Sequence, residues 1–169
     1  MDLYLMRHGI AMDREDWLGR PDHERPLVPK GEARVDRVAR GLAALGVRFT
    51  YLGTSPYVRS MQTAERVARV FGMKDRLRVV EELACGVDAE SLVAFLSREV
   101  APGDDALLVG HEPDLGSLVS LFVTGEPSGE FRMKKGGVAK LSMRALEVGR
   151  CARLEWLIPP KALMGLAGV

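Results

Sequence analysis

Residues 106–109 read Ala-Leu-Leu-Val, a run without a polar side chain, opened by Asp105 and closed by Gly110. An apolar run this short, bounded by turn formers and lacking alternation, suits a strand buried on both faces. Such a strand needs helices above and below it, so the run points to an α/β sheet covered on each side. The neighbouring pattern agrees. Asp2 to Arg7 forms a first strand, and Val35, Val38, Ala39, Leu42 and Leu45 recur at helical spacing until Gly46. Phe49 to Gly53 reads as a strand, and Val58, Met61, Ala64, Val67, Ala68 and Phe71 as a helix closed by Gly72. Leu77 to Val80 is a third strand and Glu90 to Val100 a helix, with Leu115, Leu118, Val119 and Phe122 forming the helix after the apolar run. Val138 to Met143 and Ala152 to Leu157 alternate in strand fashion and are expected to pair antiparallel. The tail from Pro159 is apolar and either docks on the body or forms a contact.

A chain of 169 residues is expected to make one domain, spanning 1–169, with a sizeable core. Its net charge of +1 gives no global field toward nucleic acid or an anionic membrane, so any anion it handles is held by a local cluster. Arg7 cuts the first apolar run too short for a signal peptide, and no stretch reaches the roughly 20 apolar residues of a membrane span. A cytoplasmic protein is therefore expected. Cys85 and Cys151 are too few for a disulfide scaffold and read as reduced structural thiols.

Cations and histidines collect where strands end. Arg7-His8-Gly9 follows the first strand, Ser55-Pro56-Tyr57-Val58-Arg59 leads from the second into its helix, and Gly110-His111-Glu112-Pro113 follows the apolar run. Ligands of open α/β sheets bind outside the carboxyl ends of the strands, so the three places can converge. Two guanidiniums, two imidazoles and helix N-terminal amides make a site for a tetrahedral dianion such as phosphate. Residues 9 to 28, polar and broken by Pro21 and Pro26, form a loop long enough to be functional.

"LMRHG", "TSPYVRSMQTAE" and "LLVGHEPDLG", in that order and spacing, resemble the histidine phosphatase superfamily. The short length and the segment Arg25-Pro26-Leu27 with Gly31 are most similar to its SixA-like branch of phosphohistidine phosphatases. The resemblance implies a three-layer α/β/α sandwich of phosphoglycerate mutase-like type, with a mixed, mostly parallel sheet and without a large helical cap. It implies that His8 is the nucleophile, that Arg7, Arg59 and His111 complete the catalytic set, and that no cofactor or metal takes part. The chemistry suits these residue types, since a neutral imidazole carries a phosphoryl group transiently and planar guanidiniums bind its equatorial oxygens. Gly9 is expected to let the backbone come close to the phosphate, and Ser55 either caps a helix or touches phosphate. Three carboxylates are candidates for a proton donor: Glu81, Glu82 and Glu112. The expected partner is a phosphorylated protein, such as a phosphohistidine-bearing phosphotransfer domain.

Blander readings apply elsewhere. His23, Arg14, Arg20 and Arg25 in the long loop are expected to be solvated, with one of the three arginines open to contact with the phosphorylated partner, and Arg66 and Arg69 to be helix-surface charges. A zinc site is disfavoured because His8, His23 and His111 lack paired spacing. Two rivals to phosphohistidine hydrolysis stand: a phosphatase for small phosphate esters or other phosphoproteins, and a non-catalytic phosphate-binding module.

Overall fold

The computed structural model describes residues 1–101 and 103–168. Six strands form one sheet: β1 (Asp2–Arg7), β2 (Tyr51–Thr54), β3 (Leu77–Val79), β4 (Ala106–Gly110), β5 (Val138–Met143) and β6 (Ala152–Ile158). Five α-helices accompany them: α1 (Pro29–Ala44), α2 (Val58–Phe71), α3 (Ala89–Glu99), α4 (Asp114–Thr124) and α5 (Pro160–Leu166). The strand order is β3-β2-β4-β1-β5-β6. The first four run parallel and the last two are added antiparallel. This is the mixed, mostly parallel α/β sheet expected from the sequence.

Alternation along the central strands builds the layers. Tyr4 and Met6 of β1 and Leu107 and Val109 of β4 join a cluster with Val35, Val38 and Leu42 of α1 and Ala64 and Val67 of α2. Leu3, Leu5, Ala106 and Leu108 turn to the other face, against Leu92 and Leu96 of α3 and Leu115 and Phe122 of α4. All five residues of β4 are buried. The apolar run therefore lacks alternation because both faces of its strand are covered by helices.

The long loop is less irregular than its composition implies. Two short 3-10 turns lie within it, at Glu15–Trp17 and Asp22–Glu24, and an isolated antiparallel bridge joins Ala11 to Leu27. Arg25 is buried, contrary to the expectation of a solvated charge: its guanidinium donates to the Met12 carbonyl at 2.7 Å and pairs with Asp22 at 3.0 Å. Arg66 is also not a free surface charge, since it pairs with Asp36 at 2.7 Å and with Glu32.

The apolar tail docks on the body as α5. Leu163 is fully buried in the cluster that contains α1, and a Cβ on Gly41 of α1 would lie 1.9 Å from the Leu163 carbonyl oxygen. Only glycine admits this approach. Gly41→Ala gains roughly 1 kcal/mol of helix propensity, but the clash with backbone costs about 1–3 kcal/mol. The expected net result is a lower urea midpoint, with residues of α5 losing amide-exchange protection first. A higher midpoint would refute the close packing.

Candidate active site

Three strand ends meet at one edge of the sheet because the parallel pairs are in register. Arg7 lies opposite Gly110. Just beyond, the His8 N–H donates to the Gly110 carbonyl at 3.0 Å, and the Ser55 N–H donates to the Val109 carbonyl at 2.9 Å. These bonds carry His8 and His111 to a ring-centroid separation of 5.3 Å. Arg59 enters from the first turn of α2. Arg7, His8, Arg59 and His111 all line one cavity of about 290 Å³.

A carbonyl sets the tautomer of His8, and a serine hydroxyl faces His111. His8 Nδ1 lies 2.7 Å from the Gly9 carbonyl, which only accepts, so the proton sits on Nδ1 and Nε2 keeps a free lone pair. Ser55 Oγ accepts from the Tyr57 N–H at 3.3 Å and lies 2.7 Å from His111 Nε2. With the hydroxyl proton turned toward Nε2, the His111 proton sits on Nδ1, which is buried without a partner. Burial first, and then the neighbouring cations, hold both rings neutral. His8 is pushed down to about 3 and His111 to about 4.

The guanidiniums are held from behind. Arg59 is almost fully buried and donates to the Asp22 carbonyl at 2.7 Å and to Asp22 Oδ2 at 3.0 Å. Burial opposes ionisation of Asp22, but Arg59 and Arg25 outweigh it and hold the carboxyl below its usual range. Arg7 donates to the Met133 carbonyl at 2.8 Å, and the Met133 N–H donates to Glu112 Oε1 at 2.8 Å. Burial raises the Glu112 carboxyl, against the pull of this amide and of Arg7. Five buried side-chain donors or acceptors lack a partner among the described residues. Three of them are Arg7 Nε, Arg59 Nε and His111 Nδ1. A cluster of buried donors without a protein acceptor is the arrangement an oxyanion satisfies.

The other expected positions fall differently. The Gly9 N–H donates to Thr63 Oγ1 at 3.0 Å, and a Cβ there would lie 2.6 Å from Val35 Cγ2, so its smallness serves the packing of α1. Ser55 holds His111 and forms a local turn, whereas the position before α2 belongs to Tyr57. Glu112 lines the cavity; Glu81 is exposed, and neither it nor Glu82 is among the cavity walls. Cys85 is not a structural thiol but an exposed one at this cavity, 3.9 Å from an Arg59 nitrogen, and burial of its sulfur outweighs Arg59 in raising its pKa. Asp13, Asp22 and Lys135 carried no motif. The only trace of Asp22 in the sequence is its three-residue spacing from Arg25. Among the described residues, no group of three or more His, Cys, Asp or Glu side chains is placed to hold a metal ion, and no helix is long and apolar enough to cross a membrane.

Comparison with known proteins bears on this arrangement. The profile of the histidine phosphatase superfamily (branch 1) matches residues 3–84. An uncharacterised protein of a Picosynechococcus species is 38% identical over 149 residues, 88% of each chain. Phosphohistidine phosphatase SixA of Escherichia coli K12 is 30% identical over 129 residues, 75% of this chain and 76% of that protein. Among solved structures, the protein histidine phosphatase SixA complexed with tungstate superposes with a TM-score of 0.80 at 25% identity, covering 96% of this chain and 99% of that one. A phosphoglycerate mutase from Bacillus anthracis shares the fold, with a TM-score of 0.75 at 15% identity, covering 100% of this chain and 97% of that one.

The depressed imidazoles give the fold a pH dependence. Because both rings resist protonation when folded, the unfolded chain binds more protons below its ordinary histidine pKa of about 6.5. Their contribution is complete above that pH and is lost as pH falls from about 6.5 toward 4 and 3. Urea midpoints should fall between pH 7 and pH 4, and less steeply in His8→Ala. Imidazole resonances of His8 or His111 titrating near 6.5 in the folded protein would overturn the assignment.

Proposed function

The chain belongs to the histidine phosphatase superfamily, in its SixA-like branch, and from that membership we propose that it hydrolyses phosphohistidine on a protein, without a metal, through a phosphoryl group carried on His8. The observation that carries this reading is the set of three unpaired buried donors, on Arg7, Arg59 and His111, around an imidazole whose Nε2 is free. The tungstate of the related structure is a tetrahedral oxyanion, the shape those donors suit.

The proposed reaction has two displacements. His8 Nε2 attacks phosphorus, the P–N bond to the substrate imidazole breaks, and its electron pair stays on that ring, which enters protonated on its other nitrogen and leaves as neutral imidazole. Arg7 and Arg59 neutralise the equatorial oxygens, and His111 donates from Nδ1 as charge builds. The Gly9 carbonyl accepts a hydrogen bond from His8 Nδ1–H and so stabilises the charge the ring gains on phosphorylation. Water then attacks the phosphohistidine, the pair returns to Nε2, and phosphate departs with the proton. A neutral ring meets the first step throughout the physiological range, because burial keeps His8 from protonating.

The leaving group favours phosphohistidine over an ester. An alkoxide needs a proton from a positioned acid, which contributes roughly 10²–10⁴-fold, whereas an imidazole leaves with far less help. Of the three candidate donors, Glu112 alone lines the cavity, and its carboxylate is committed to the Met133 amide. Glu112 accordingly serves to hold Met133, whose carbonyl supports Arg7.

Two experiments follow from this reading. Brief incubation with a ³²P-phosphohistidine protein should label the enzyme, and His8→Ala should abolish the label. No label and no turnover of any phosphohistidine or ester substrate would refute catalysis, while a rate on simple esters equal to that on the phosphoprotein would refute the preferred substrate. Glu112→Gln keeps an oxygen for the Met133 amide, so turnover should stay within about threefold of wild type, while Glu112→Ala should lose about tenfold or more. A loss near 10²-fold in the Gln variant would make Glu112 the acid.

A further inference from the structure

The cavity walls carry more positive charge than one phosphoryl group draws. Arg7, Arg14, Arg25, Arg59 and Lys135 line it against only two carboxylates, Asp13 and Glu112, in a chain whose net charge is +1. Internal contacts absorb most of the excess. Asp22 binds Arg25 and Arg59 at 3.0 Å each, and Arg7 rests on the Met133 carbonyl. Arg14 reaches Asp22 only at 3.6 Å, with 82% of its side chain exposed. Lys135 has no ion-pair partner among the described residues.

Lys135 is nonetheless placed with care. The Gly137 N–H donates to the Lys134 carbonyl at 2.6 Å, and the Gly136 N–H is shared between the Arg7 and His8 carbonyls at 3.0 and 3.1 Å. The Arg7 N–H returns a bond to the Gly137 carbonyl at 3.1 Å. Gly136 sits at φ +82°, which glycine adopts without strain. The turn bearing Lys135 is therefore clamped to the backbone of the residues proposed to do the chemistry. A lysine on a backbone held this firmly beside the cavity, and left without a carboxylate among the described residues, is suited to an anion supplied by the substrate.

We infer that Lys135, assisted by Arg14, forms a second anion position at the cavity mouth, and that it takes a carboxylate of the protein segment flanking the phosphorylated residue. The inference rests on the reading of the substrate as a phosphoprotein. Lysine is a point charge that tolerates many approach angles, as a side-chain carboxylate on a protein surface requires. Lys135 and Arg14 line the same cavity of about 290 Å³ as Arg7 and Arg59, so a further anionic group can lie beside the phosphoryl group. A larger cleft of about 610 Å³ opens from it, sharing Arg7 and Glu112 and bordered by Lys134 and Arg132, and gives the segment room.

The test pairs substrate flanks with the lysine. Peptides carrying a non-hydrolysable phosphohistidine analogue, flanked by Asp and Glu or by Ser and Gln, are titrated against wild type, Lys135→Glu and Lys135→Gln, with melting temperatures recorded for each protein. For the acidic peptide Lys135→Glu should weaken binding about tenfold and Lys135→Gln about threefold. Both losses should shrink in 1 M salt, where screening acts over about 3 Å. The Ser/Gln peptide should lose less than about twofold. Equal losses on both peptides would place Lys135 in the phosphoryl site itself and overturn the inference. A larger loss for a bisphosphorylated small molecule than for the acidic peptide would overturn it in favour of a second phosphate. Because binding is read without turnover, the inference stands or falls separately from the hydrolysis assay, whose failure would instead remove the phosphohistidine reading.

Discussion

The parallel pairing of β1 with β4 is the constraint on which the rest depends. The pair sets Arg7 opposite Gly110, and the bond from the His8 amide to the Gly110 carbonyl carries the register one residue past the strand. A slip of one residue would turn Leu3 and Leu5 toward the helices that now receive Tyr4 and Met6, and would move His8 away from His111. Two buried faces with different partners make that slip costly. The core thus fixes the position of a chemical group that contributes nothing to the core.

Much of this was legible beforehand. β1 has the bounds expected from its apolar residues, α1 begins at Pro29, and the antiparallel pair near the carboxyl end is present. The convergence of Arg7, Arg59 and the two histidines could be read from strand ends, because strand ends are visible in periodicity. What could not be read depends on contacts between distant segments. Nothing local marks Asp22 as the support of Arg59, 37 residues away, and the support of Arg7 is a backbone carbonyl, which leaves no signature in any side chain. Ser55 bonds to a ring 56 residues on, a use that neither a helix cap nor a phosphate contact anticipates. The packing of Gly9 against Val35 is likewise a contact between distant segments, with nothing local to announce it.

The site also shows how one cluster can hold cations and keep histidines neutral. Burial does most of the work on both rings, and the positive field of Arg59 and Arg7 adds to it. The same guanidiniums that line the cavity therefore also keep the His8 ring in its free-base form. Asp22, paired with Arg59, works against that field at His111.

The placement of β1 has a consequence for how the chain is made. Its neighbours are β4, opposite from Ala106, and β5, opposite from Val138 to Ser142. During synthesis the first strand leaves the ribosome with neither neighbour in existence, and its leucines stay without a sheet until more than a hundred further residues have emerged. Parallel pairings across such separations are slow to form. The tip of β1, with its arginine and histidine, is thus made well before the strand it pairs with, and Arg7, His8, Arg59 and His111 come together only after β4 has emerged.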